Sequence, residues 1–166
     1  MSTNGELLYD VSGGIATITI NRPDARNALN SAVREGIRDA LNAFTKNDLA
    51  RVLIITASGN LAFSAGADLK EMAEQNLTIP PDDFIPDLAT PQPVLAAVNG
   101  AALAVGFFLA QQADLVIASC HAPVGLTKPP YGRGAPSAAP LPAPHPPLAP
   151  PDPLSRPRQL PPPQGT

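Results

Sequence analysis

The sequence predicts an α/β domain over its first three quarters, followed by a proline-rich tail of low complexity. Three observations carry this. Short branched apolar runs recur at residues 7–11, 15–20, 52–55, 94–98 and 115–118. Between several of them lie segments whose apolar residues step by three and four, the period of a helix. Of the 22 prolines, 16 stand at or after Pro123, while all five phenylalanines stand before it.

The elements follow in order. Residues 7–11 and 15–20 are strand-like and are separated by Ser12-Gly13-Gly14, a hairpin signal. In the second run Ala16, Ile18 and Ile20 share one face. Asn21-Arg22-Pro23-Asp24 breaks the strand, and Asn30 or Ser31 can cap a helix running to Thr45. Val33, Ile37, Leu41 and Phe44 form one stripe along that helix. The continuous run at 52–55 predicts a strand covered on both faces. A loop, Ser58-Gly59-Asn60, leads to Phe63-Ser64-Ala65-Gly66-Ala67-Asp68 and then to a helical segment through Glu74. Residues 75–93 are polar and proline-rich, and predict a long surface loop or lid. A short strand at 94–98 is closed by Asn99-Gly100. Residues 103–112 are helical in length and apolar nearly all round, which predicts a buried helix. Another buried strand is expected at 115–118. From Pro123 onward repeated prolines remove backbone donors and bar helix and central strand, so disorder of polyproline-II character is expected.

Composition excludes several classes. A net charge of −3 with no basic cluster leaves no electrostatic footprint for nucleic acid. No apolar run approaches the ~20 residues of a membrane helix, and the N-terminus lacks the pattern of a signal peptide. One cysteine, Cys120, excludes an internal disulfide framework. A cytoplasmic location is the expectation. His121 and His145 have no partners at metal-ligand spacing, and neither a Walker A nor a G-x-G-x-x-G motif is present.

Three segments, in this order, carry a family resemblance. The first is Asn21-Arg22-Pro23 followed by Asn27-Ala28-Leu29-Asn30. The second is Phe63-Ser64-Ala65-Gly66-Ala67-Asp68-Leu69-Lys70-Glu71-Met72. The third runs from Pro93-Val94 through Val98-Asn99-Gly100-Ala101-Ala102 to Leu109-Ala110 and Asp114-Leu115-Val116-Ile117-Ala118. Together they resemble the enoyl-CoA hydratase/isomerase, or crotonase, family. The resemblance covers about three quarters of this chain but only about half of a full family domain. It implies an incomplete crotonase-type (ββα) spiral fold over residues 1–126, with 127–166 as a disordered tail. It also implies acyl-CoA thioester substrates, an enolate intermediate, no metal, and no cofactor beyond the CoA carried by the substrate. Family members assemble as trimers or hexamers through C-terminal helices that have no counterpart here.

The resemblance further implies roles for particular residues. Two backbone N–H groups receive the enolate oxygen: that of Ala67, and that of the middle residue of a glycine triplet. The triplet reads Ala104-Val105-Gly106 here, so Val105 takes the donor position, and its branched side chain is expected to restrict approach. Ala65, Gly66, Ala67, Asp68, Leu69 and Lys70 would line the CoA, with Lys70 facing phosphate. Ala28 and Leu29 would flank the pantetheine and adenine. Read as plain residues, Asp68 is equally a first-turn acid that stabilises its helix, and Lys70 a solvated charge.

Two departures bear on activity. Phe108 and Lys128 stand where the family's two catalytic glutamates belong. Hydration needs a base for water and an acid for the α-carbon; phenylalanine is neither, and a lysine of ordinary pKa is protonated at neutral pH. The expectation is no measurable hydration. The alternatives are a non-catalytic acyl-CoA-binding pseudoenzyme and a truncated or frameshifted remnant. The Pro-, Ala- and Arg-rich tail has the composition of a shifted frame in a GC-rich gene; its other reading is a ligand for SH3-like or WW-like domains. Apolar faces at 52–55 and 103–109 are expected to be partly uncovered without a C-terminal half.

Overall fold

The computed structural model describes residues 5–75 and 86–125. The chain opens with a hairpin, β1 (Leu7–Ser12) and β2 (Ile15–Ile20), paired antiparallel from Leu7↔Ile20 to Ser12↔Ile15. Gly13 and Gly14 make the turn with positive φ. Alternation in β2 turns Ala16, Ile18 and Ile20 fully into the core, as the sequence predicts.

A 3-10 turn at Pro23–Ala25 leads to α1 (Ser31–Thr45). Asn30 is its cap: the side-chain oxygen accepts the Val33 N–H at 2.9 Å. Val33, Ile37, Leu41 and Phe44 are all buried, and the stripe packs against β1 and β2. Burial of each stabilises by about 1.5–3 kcal/mol relative to exposure.

The chain then adds parallel strands. β3 (Val52–Ala57) pairs with β2, β5 (Val94–Val98) with β3, and β7 (Leu115–Ala118) with β5. The five-stranded order is β1-β2-β3-β5-β7. A second, three-stranded parallel sheet orders β4 (Ala62–Ser64), β6 (Ala101–Leu103) and β8 (Val124–Gly125). α2 spans Leu69–Glu74 and α3 spans Val105–Gln111.

Four expectations need correction. β3 is covered on one face: Leu53 and Ile55 are buried, whereas Val52 and Ile54 are half-exposed because they point to the sheet's other side. β7 is a strand but not a buried one. It has β5 as its neighbour on one side and forms the sheet's edge, and Leu115, Val116 and Ile117 are 52%, 44% and 58% exposed. The helix predicted at 103–112 begins at Val105, since Leu103 is taken by β6, and it buries only Gly106, Leu109 and Ala110. Finally, the region after Pro123 opens with β8, held by Ala102↔Val124 and Leu103↔Gly125. Of the loop expected at 75–93, residues 86–93 carry no regular structure and bury Leu88, while 76–85 lie outside the described residues, as do 126–166.

Candidate active site

β4 and β6 are adjacent and parallel, so their C-terminal ends emerge side by side. The segments that follow them, 65–68 and 104–106, are thereby brought into contact. Two glycines make the approach possible. Gly66 has φ +103, and a β-carbon there would lie 3.2 Å from the Leu103 carbonyl oxygen and 3.4 Å from the Val105 nitrogen. A β-carbon on Gly106 would come within 2.6 Å of both Cβ and the carbonyl oxygen of Ser64. Ser64, fully buried, accepts the Gly66 N–H on Oγ at 3.2 Å.

Segment 65–68 is also bonded to the loop before α1. Leu29 N–H donates to the Gly66 carbonyl at 2.8 Å, and Asp68 N–H donates to the Leu29 carbonyl at 3.4 Å. This parallel bridge pairs Leu29 with Ala67. Its geometry uses the amides on either side of Ala67 and leaves the Ala67 N–H with no acceptor among the described residues. Val105 opens α3, where the first N–H groups of a helix have no intrahelical partner; its N–H likewise meets no acceptor among the described residues. Two unpaired backbone donors therefore stand on neighbouring loops.

The turn that presents Val105 is strained at the preceding residue. Ala104 adopts φ 49 and ψ −120, a conformation suited to glycine. The side chain of Val105 packs against the hydrophobic core. The positive φ in this turn falls on Ala104 and not on Val105.

Charged side chains buttress the loops. Arg22 donates through Nε to Glu6 at 3.0 Å, and through Nη1 to the Ala28 carbonyl at 2.7 Å and to Asp68 at 2.8 Å. Asn27, 1% exposed, donates to the Ser58 and Ala62 carbonyls and accepts the Arg22 N–H. Glu71 accepts the Ser31 N–H and lies 3.9 Å from Arg34, which itself donates to the Leu29 carbonyl. Asp68 caps α2 by accepting the Lys70 and Glu71 N–H groups. Burial pushes the Asp68 carboxyl up, but the Arg22 hydrogen bond, the Arg22 charge and the capped amides outweigh it and hold the pKa below the ordinary carboxylate value.

The predicted site residues are thus placed unevenly. Gly66 meets Ala104 and Val105, and Gly106 meets Ser64. Asp68 is a cap and ion-pair partner, in line with the plainer of its two readings. Lys70 is 84% exposed and lies 3.9 Å from Glu74, and Leu69 is 75% exposed. Leu29 is fully buried and both its backbone polar groups are bonded, and Ala28 is 9% exposed. Phe108 lies on α3 with its ring 6.1 Å from that of Phe107. Lys128 lies outside the described residues. Arg22, Asn27, Ser64 and Glu71 all sit in the motif segments, but side-chain type alone does not announce a bracing role.

Solved structures show that this βα arrangement is the crotonase fold. An enoyl-CoA hydratase from Mycobacterium tuberculosis matches with TM-score 0.65 and 40% identity, over 73% of this chain and 51% of that one. The pattern of the enoyl-CoA hydratase/isomerase family matches residues 10–140. A probable enoyl-CoA hydratase of Rhodobacter capsulatus is 42% identical over 118 residues, covering 67% of this chain and 45% of the relative. The 2,3-dehydroadipyl-CoA hydratase of Escherichia coli is 40% identical over 126 residues, covering 73% and 49%. The chain belongs to the enoyl-CoA hydratase/isomerase family. It spans about half the length of the curated relatives it matches.

Proposed function

We propose that this chain binds an acyl-CoA thioester and receives its carbonyl oxygen between the N–H groups of Ala67 and Val105. The observation that carries this reading is the pair of unpaired backbone donors on the adjoining loops after β4 and β6. Fixed donors aimed at an oxygen that gains charge stabilise an enolate over its parent thioester, by about 3 kcal/mol for a well-placed donor. Ala65, Gly66, Leu69 and Lys70 form the adjoining CoA-facing edge in this reading, with the exposed Lys70 exchanging its Glu74 contact for phosphate.

The same reading assigns the chain no hydratase turnover of its own. Phe108 supplies neither proton nor base at the position of the first carboxylate, and Lys128 occupies the second. Loss of one acid/base group typically removes ~10²- to 10⁴-fold in rate. Phe108 thereby makes the chain, in this reading, an acyl-CoA-binding protein without hydratase catalysis. Calorimetric titration with butyryl-CoA, alongside the loss of crotonyl-CoA enoyl-thioester absorbance, tests both the binding and the lack of turnover. Binding without turnover is the expected outcome. Hydration clearly above buffer would refute the assignment of Phe108 and Lys128, and absence of binding by a chain that melts cooperatively would refute the oxyanion site.

A further inference from the structure

We infer that Arg22 is the positioning residue of the Ala67 donor: its guanidinium clamps the two chain segments whose bridge aims that N–H. The inference rests on the oxyanion reading above and adds to it a residue 45 positions away in sequence from the donor it serves.

The argument is geometric. Ala67 is held by its pairing with Leu29. That pairing is short, since it consists of the Leu29 N–H to Gly66 and the longer Asp68 N–H to Leu29 at 3.4 Å. A third bond, from the Ala65 N–H to the Arg26 carbonyl at 3.0 Å, joins the same segments two residues earlier, and oxyanion contact needs the amide held to about 0.5 Å. One nitrogen of Arg22 adds a charged side-chain constraint to these backbone bonds. Nη1 donates both to the Ala28 carbonyl, the residue before Leu29, and to the Asp68 carboxylate, the residue after Ala67. A single planar group thus ties one strand of the bridge to the other immediately beside the donor. Nε anchors the same plane to Glu6, whose other oxygen accepts from the Asn30 side chain. The backbone of Arg22 is fixed too, through its N–H to Asn27. The Arg22 and Asp68 side chains are only 16% and 12% exposed, so water screens the pair weakly.

Lysine could not substitute. Its ammonium is a point charge on a flexible stem, whereas the planar fork holds Glu6, Ala28 and Asp68 in one fixed arrangement. Asp68 in turn transmits the clamp to α2, because its other oxygen accepts the Lys70 and Glu71 N–H groups. Arg22 does not itself reach the carbonyl oxygen. Its effect is felt through the orientation of the Ala67 amide.

The test compares two ligands that differ only at the carbonyl, butyryl-CoA and its thioether S-butyl-CoA, titrated into the full chain. The ratio of their dissociation constants reads the oxyanion contact and cancels the shared CoA contacts. A wild-type preference of about tenfold for the thioester is expected from two modest hydrogen bonds. In Arg22→Met that preference should fall to within twofold of unity, while affinity for S-butyl-CoA changes less than threefold. A role in folding alone would weaken both ligands together and leave the ratio standing. Should Arg22→Met lose its cooperative melt, the comparison passes to Arg22→Lys and Asp68→Asn, each of which should also lose most of the preference. Preference retained in a cooperatively melting variant overturns the clamp but leaves the oxyanion reading intact. A wild-type chain that binds both ligands equally overturns both.

Discussion

At the scale of single residues, the region around the two donors combines strain with strong pairing. Ala104 holds a positive φ that costs a non-glycine residue about 1–3 kcal/mol, against about 0.5–1 kcal/mol of added chain entropy for glycine. Ala104→Gly is therefore expected to stabilise the chain by about 1 kcal/mol. Chemical unfolding should show a higher midpoint at unchanged slope, and a lower midpoint would show that Ala104 is unstrained. Asp68 makes the opposite case. Its folded pKa is depressed, so its pairing stabilises the chain fully above the unfolded value of about 4. That contribution is lost as pH falls from there through the lower folded value. Melting temperature followed from pH 6 to pH 2 should drop less steeply below pH 4 in Asp68→Asn than in the wild type. Equal slopes would place no linkage at Asp68.

At the scale of elements, α1 depends on its cap as well as its stripe. Asn30 satisfies the Val33 amide and also donates to Glu6. Asn30→Ala should cost about 1–2 kcal/mol, and thermal unfolding monitored by circular dichroism checks it; Asn30→Ser, which keeps an acceptor, should recover part of the loss. The larger elements were legible from sequence for a physical reason. β1, β2, β3, β5 and α1 bury regular sets of apolar side chains, and that regularity is periodicity. β4, β6 and β8 are only two or three residues long, Ala62-Phe63-Ser64, Ala101-Ala102-Leu103 and Val124-Gly125, and so short a run has no period to detect. They exist because their neighbours pair with them. The site divides in the same way. Backbone donors such as the Ala67 and Val105 N–H groups carry no side-chain signature, and only family resemblance pointed to them. Arg22 stood in a recognised motif, but its partner Asp68 is 46 residues distant and only the fold brings the two together.

At the scale of the whole sheet, coverage by the described residues is one-sided. α1 seals one face of the hairpin end of the sheet, while the far edge at β7 exposes Leu115, Val116 and Ile117 and has no further strand paired to it among the described residues. An open apolar edge is a template for pairing with other chains. The purified chain is expected to self-associate with rising concentration, and Ile117→Lys should reduce this by placing a charge on the edge. Light scattering at matched concentrations checks it, and identical scattering from the two proteins would exonerate β7. The middle of the sheet is better protected, since β2, β3 and β5 are each flanked by strands on both sides.

The bridge between Leu29 and Ala67 has a consequence for deuterium uptake. Neighbouring amides there differ sharply: Leu29 N–H is committed to Gly66, whereas Ala67 N–H is committed to nothing among the described residues. Exchange requires an amide to be free of an internal acceptor and within reach of solvent, and Ala67 is half-exposed. Its hydrogen should wash out early while that of Leu29 persists, so the donor is marked by its lability before any ligand is added. Butyryl-CoA should reverse the contrast, slowing Ala67 and Val105 while leaving Leu29 as slow as before. The proposed oxyanion donors should in this sense be visible as a pair of fast protons set among slow ones.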